Sequence, residues 1–162
     1  MTPAAVLSDL RDSMSTFGAE IPLEQIVLIK PGASKHEALD ALITAVGQNP
    51  AVTDCEAFSQ AVYAREAVQS TGIGGGIAIP HVRIKAVTAA TLGVGISREG
   101  VDFGTLDNKP VHILVIFATP DDSDKVYLGL LAKVMLALRN QALYDSLLAC
   151  NTREEVHALL SD

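Results

Sequence analysis

The run Val111-His112-Ile113-Leu114-Val115-Ile116-Phe117-Ala118 constrains the fold more than any other segment. It is far shorter than the ~20 apolar residues a membrane helix needs. It lacks the polar–apolar alternation of a strand with one wet face, so it reads as a strand buried in a sheet. Its neighbours supply the rest of the architecture. Ala89 to Ile96 is a second strand of small and β-branched residues, and Asp107-Asn108 and Lys109-Pro110 make a turn between the two. That link holds no helix, so the two strands are expected as antiparallel neighbours. Upstream, a short strand falls around Ile26–Leu28 and Pro31-Gly32 turns the chain. Ser34 with Glu37 forms a capping box and opens a helix to about Val46, stopped by Gly47. Thr53 with Glu56 reads as a second capping box, opening a helix to about Ala67. Downstream, Thr119-Pro120-Asp121-Asp122-Ser123 opens a long helix to about Leu138, followed by helices at Leu143–Ala149 and from Asn151 or Thr152 to Leu160. Helices and strands in this order predict an α/β fold: one domain at residues 21–162, with a mixed β-sheet flanked by α-helices. Residues 1–20 read as a weak N-terminal helical extension, with Val6, Leu7, Leu10 and Met14 at helical spacing and Phe17-Gly18 at its end.

Composition narrows the class of function. The net charge is −7, and no Lys/Arg cluster offers the basic face a nucleic-acid binder needs. The opening MTPAAVLSDLRDSM carries acids where a signal peptide is basic, so a cytoplasmic location is expected. Cys55 and Cys150, 95 residues apart, form no CxxC, and with four scattered histidines they give no metal spacing. Both are expected as core or near-core thiols rather than a disulfide.

The chemistry concentrates in the middle of the chain. Ser70-Thr71-Gly72-Ile73-Gly74-Gly75-Gly76 is a glycine-rich loop, followed by the strand-like Ile77-Ala78-Ile79-Pro80 and then His81. A dinucleotide fingerprint would need a strand before the loop and a helix after it, and a Walker A loop would need a terminal Gly-Lys-Ser/Thr. Both patterns fail here. Pro80 fixes φ and lacks an N–H, so it is expected to end the strand and aim His81 at the sheet edge, where ligands approach α/β folds. Arg65-Glu66 lies sixteen residues earlier, near the end of a helix leading into the loop. A guanidinium fork, the hydroxyls of Ser70 and Thr71, glycine N–H groups including that of Gly74, and one imidazole suit a phosphoryl group held on histidine.

The run Arg65-Glu66 … Ser70-Thr71-Gly72-Ile73-Gly74 … Gly76-Ile77-Ala78-Ile79-Pro80-His81 resembles the phosphorylation signature of the enzyme IIA domains of the bacterial phosphotransferase system, in the fructose/mannitol class that includes nitrogen-regulatory members. The resemblance covers about residues 22–162. It implies a phosphotransferase in which His81 is phosphorylated and Arg65 stabilises the phosphate, with no metal and no cofactor. The implied partners are an HPr-like phosphocarrier as donor and an enzyme IIB domain, or a regulatory target protein, as acceptor. Direct membrane insertion is not expected. Val82 stands where many members have a small residue. Tyr127 stands where many carry a second histidine; a phenol can hydrogen-bond a phosphate oxygen but carries no positive charge. His112 is expected as a strand-face or buried neutral histidine, and His36 and His157 as surface residues.

Overall fold

The structure, a computed structural model, describes Phe17, residues 21–122 and residues 124–161. The N-terminal helix expected over residues 1–20 lies outside the described residues, apart from Phe17, whose ring is fully buried. A 3₁₀ turn at Leu23–Gln25 leads into β1 (Ile26–Leu28), followed by α1 (Lys35–Gly47) and α2 (Cys55–Val68). The glycine-rich region contributes β2 (Gly72–Gly74), β3 (Ile77–Ala78) and β4 (His81–Arg83). The long strands β5 (Thr91–Val101) and β6 (Val111–Thr119) come next, then α3 (Asp124–Leu138), α4 (Gln141–Ala149) and α5 (Arg153–Ser161). No described helix is long and apolar enough to cross a membrane.

The sheet is mixed, in the order β1-β5-β6-β3-β2, with β4 also paired to β6. β5 and β6 are antiparallel, as their turn-like link implies, while β1 runs parallel to β5, and both β3 and β4 run parallel to β6. β6 is the strand buried on both faces, and its side chains divide by parity. Leu114, Ile116 and Ala118 pack with Leu39, Leu42 and Val46 of α1 and Phe58 and Val62 of α2. Ile113, Val115 and Phe117 pack with Leu130, Val134 and Leu138 of α3, Leu147 of α4, and Val156 and Leu160 of α5. The result is a three-layer sandwich, and period-two alternation along one strand feeds both cores. α1 lies so close to the sheet that a Cβ on Gly93 would stand 2.5 Å from Val46 Cγ2 and 3.2 Å from the Gln25 carbonyl oxygen.

Four local expectations are corrected. Pro80 does not end the strand. The pairs Ile77–Ile113, Ala78–Leu114 and His81–Phe117 keep one register along β6, and the Pro80 carbonyl accepts from the Phe117 N–H at 3.0 Å. The chain therefore resumes as β4 after the proline, with His81 as its first residue. The glycine loop is not all loop: Gly72 pairs with Ala78 and Gly74 with Ile77 in an antiparallel ladder. α2 is capped by Asp54, whose carboxylate accepts from the Ala57 N–H at 3.0 Å, while the Thr53 hydroxyl donates to the Ala86 carbonyl instead. The Ser34–Glu37 capping box is present in both halves. Both cysteines are free thiols; Cys150 is buried, but Cys55 is exposed at the start of α2 rather than near the core.

Candidate functional site

Alternation along β4 sends Val82 into the core beneath α1 and α2 and sends His81 and Arg83 to the opposite face. There the His81 ring stacks on Phe117, centroids 5.4 Å apart and planes 17° apart. The ring of Tyr127, from the start of α3, tilts against it at 5.3 Å and 55°. The imidazole is thus held between a core aromatic and a half-buried one, opposite Phe117 near the carboxyl end of β6, and the carboxyl ends of parallel strands are where α/β sheets usually receive ligands.

One hydrogen bond fixes the tautomer. His81 Nδ1 lies 2.6 Å from the Ile79 carbonyl oxygen. A carbonyl only accepts, so Nδ1 carries the hydrogen and Nε2 keeps its lone pair. Among the described residues no group hydrogen-bonds Nε2. Burial lowers the imidazole pKa from its ordinary value; the cations Arg65 and Arg83 lower it further, while the bond to Ile79 and the charge of Glu66 oppose them. The neutral, nucleophilic form therefore prevails at neutral pH.

The carbonyl that holds His81 is itself anchored. The Ile79 N–H donates to the Thr71 carbonyl at 3.1 Å. The Thr71 N–H and hydroxyl both donate to the buried Glu66 carboxylate, at 3.0 Å and 2.6 Å. Lys35 Nζ completes the chain 2.7 Å from Glu66 Oε1 and also donates to the Phe103 carbonyl. An ion pair between the start of α1 and the end of α2 thus fixes the loop that fixes the histidine.

His81, Arg65, Arg83 and Tyr127 line one open pocket of about 340 Å³, closed below by Ala61 of α2 and by Val82. Arg65 Nη1 donates to the Gln69 carbonyl at 2.9 Å, at the C-terminal end of α2. Arg83 pairs with Asp124, and its guanidinium lies over the Tyr127 ring at 4.6 Å. Of the residues singled out in the sequence, His81, Arg65 and Tyr127 share this pocket, but Ser70, Thr71 and Gly74 are not in its wall. The Ser70 hydroxyl donates to the Phe103 carbonyl, and the Thr71 hydroxyl is committed to Glu66. Gly74 sits in β2 at φ 91°. Arg83 was not singled out, although a position two residues beyond His81 on an extended chain was enough to put it on the same face. His112 is half-buried, with Nδ1 2.9 Å from the Ser97 carbonyl oxygen. His36 is exposed and pairs with Asp40, and His157 is half-buried beside Ser161. Among the described residues no group of three His, Cys, Asp or Glu is placed to hold a metal ion.

Comparison with known proteins identifies the family. The family model for the phosphoenolpyruvate-dependent sugar phosphotransferase system, EIIA 2, matches residues 21–162. The PTS system fructose-specific EIIA component of Haloferax volcanii is 31% identical over 141 residues, which cover 87% of this chain and 92% of that protein. The crystal structure of the nitrogen regulatory protein IIA-Ntr from Neisseria meningitidis superposes with a TM-score of 0.78 at 31% identity, over 86% of this chain and 95% of that one. The complex of enzyme IIA and phosphorylated enzyme IIB for mannitol from Escherichia coli shares the fold, with a TM-score of 0.74 at 23% identity, over 88% of this chain and 97% of that one. With a family match from the first strand to the last helix, and a relative 31% identical over most of both chains, the chain belongs to the EIIA 2 family of the phosphoenolpyruvate-dependent sugar phosphotransferase system and is one of its phosphotransfer components.

Proposed function

We propose that the chain accepts a phosphoryl group on His81 Nε2 from a phosphohistidine of an HPr-like carrier and passes it to a cysteine of an enzyme IIB domain in sugar uptake. The observation that carries this reading is the Nδ1–Ile79 bond, which leaves Nε2 as the one unprotonated ring nitrogen of a half-buried imidazole in a pocket with two arginines. In the first step the Nε2 lone pair forms a P–N bond as the donor's P–N bond breaks and its electron pair returns to the carrier's imidazole. No proton leaves Nε2, and the positive charge that develops on the ring is shared with the Ile79 carbonyl through Nδ1–H. In the second step a cysteine thiolate forms a P–S bond and Nε2 regains its pair. Such transfers rest on alignment and charge stabilisation. Arg65 turns its guanidinium from the Gln69 carbonyl to the phosphoryl oxygens, and Tyr127 supports the ring. Both steps take place in the cytoplasm, with no metal or cofactor.

The test is incubation with a phosphorylated HPr-like carrier, then mass spectrometry under alkaline conditions that preserve phosphohistidine. Wild type should carry one acid-labile phosphate, on His81, and His81→Ala none. Normal labelling of His81→Ala would overturn the assignment. The likeness to a nitrogen regulatory protein supports a second reading, in which target proteins bind according to the phosphorylation state of the same histidine. Passage of label to a IIB cysteine supports transport; label retained on His81 in the presence of the cell's IIB domains supports regulation.

A further inference from the structure

Arg83 stands two residues after His81 on β4, so the two side chains leave the same face. Its guanidinium lies over the Tyr127 ring at 4.6 Å, and that ring is 5.3 Å from the His81 ring. The stack carries the cation toward the pocket it shares with His81 and Arg65. Only Nη1 is engaged, by the Asp124 carboxylate at the start of α3; the other guanidinium N–H groups have no partner among the described residues. The pair faces water, with side chains 44% and 71% exposed, so it is screened and cheap to break.

We propose that Arg83 is a second phosphate ligand held in reserve by Asp124. When His81 carries a phosphoryl group, the guanidinium exchanges the carboxylate for the phosphoryl oxygens, and Asp124 in the first turn of α3 is released. The exchange needs no covalent step. A carboxylate offers one negative charge, whereas a phosphoryl group near neutral pH carries between one and two and presents three acceptor oxygens. A guanidinium fork matches that geometry, and a rotation about the Arg83 side chain suffices while Tyr127 holds the cation between the two anions. Arg65 approaches from α2 and Arg83 from β4, so the phosphoryl group is met from two sides of the pocket.

The inference rests on His81 being the acceptor, and the experiment separates the two. The full chain is phosphorylated with phosphoramidate, a chemical phosphoryl donor to imidazole, and the second ionisation of the phosphoryl group is followed by ³¹P NMR against pH in about 0.15 M salt, where the screening length is about 8 Å. A nearby guanidinium favours the dianion, so Arg83→Met should raise the midpoint by about half a unit. Asp124→Asn frees Arg83 from its competitor and should lower the midpoint by a similar amount. In the Arg83→Met background, Asp124→Asn should then change nothing. A pair that stays closed acts on the phosphoryl group only through its field, so Asp124→Asn would then lower the midpoint equally with and without Arg83. An unchanged midpoint in Arg83→Met, or an equal Asp124→Asn shift in both backgrounds, overturns the proposal while leaving His81 as acceptor. A wild-type chain whose label lies elsewhere than His81 overturns both.

Discussion

Replacing Glu66 by glutamine keeps the shape of the side chain and removes its charge. In the native site the carboxylate accepts from the Thr71 N–H and hydroxyl and faces Lys35 at 2.7 Å. A hydrogen bond to a charged group contributes about 1.5–3 kcal/mol and a neutral one about 0.5–1.5 kcal/mol, so the two Thr71 bonds together lose about 2 kcal/mol. The Lys35 pair adds less, because the Lys35 side chain is 31% exposed and screened. A neutral amide is also cheaper to bury than a carboxylate, which offsets part of the loss. The net cost of Glu66→Gln is roughly 2 kcal/mol, a fall in Tm of about 4–8 °C for a chain of this size. Glu66→Leu leaves the buried N–H and hydroxyl of Thr71 with no acceptor and should cost about 4 kcal/mol, at 1–3 kcal/mol for each orphaned group. The same substitution should reach the chemistry, because the Thr71 carbonyl holds Ile79 and the Ile79 carbonyl holds His81. Small misplacements of a reacting group are costly, so phosphoryl acceptance by folded Glu66→Leu should fall about tenfold or more. Urea unfolding gives the stabilities; labelling by phosphoramidate gives the rate; the His81 Nδ1–H resonance reports the bond to Ile79. A Glu66→Gln variant within about 0.5 kcal/mol of wild type, the usual range for inconsequential surface changes, would refute the argument. So would a Glu66→Leu variant with an unchanged His81 resonance.

The pH dependence of labelling follows from the lowered His81 pKa. In the proposed reaction the neutral ring is the nucleophile, so the initial rate should hold through about pH 6.5, the ordinary imidazole value, and fall only at lower pH. The unfolded chain takes up that proton more readily than the native one. The stability that His81 contributes is therefore present above about pH 6.5 and lost as pH falls below it, which urea titrations at several pH values should show. Tyr127→Phe keeps the ring against His81 and Arg83 and should change the transfer rate by less than about tenfold, since a neutral hydroxyl bond contributes at most about 1.5 kcal/mol; Tyr127→Ala removes the platform and should cost more in the same assay. The Thr119 hydroxyl is buried with no hydrogen-bond partner among the described residues. Thr119→Val removes that unsatisfied group and should raise stability by about 1 kcal/mol in urea unfolding.

What the sequence disclosed depended on whether the determining interaction was local. The Ser34 capping box and the turn-linked pair β5–β6 were readable because each is decided within a few residues of the segment concerned. β2 was not, because a glycine run has poor intrinsic strand preference and here becomes a strand only by pairing with β3. Tertiary packing enforces the choice at Gly72, where a Cβ would stand 2.3 Å from the Thr105 methyl. At Thr53-Asp54 two adjacent residues were both competent caps, and the pull of the Ala86 carbonyl on Thr53 left the role to Asp54. Pro80 misled for a related reason: its missing N–H weakens a strand locally, but the register on both sides is held by β6. The site divides along the same line. His81 and Arg65, which share the pocket, were visible as a spaced pair, yet the spacing could not say that Glu66, beside that arginine, faces inward to Lys35 and Thr71 while Arg65 faces the pocket. Adjacent residues on the last turn of a helix point about 100° apart, so one pair can face both the pocket and the scaffold. The Arg65-Glu66 pair thus joins the pocket to the fold: one member lines the pocket beside His81, and the other anchors the backbone whose Ile79 carbonyl holds His81 Nδ1 and leaves Nε2 facing outward from that bond.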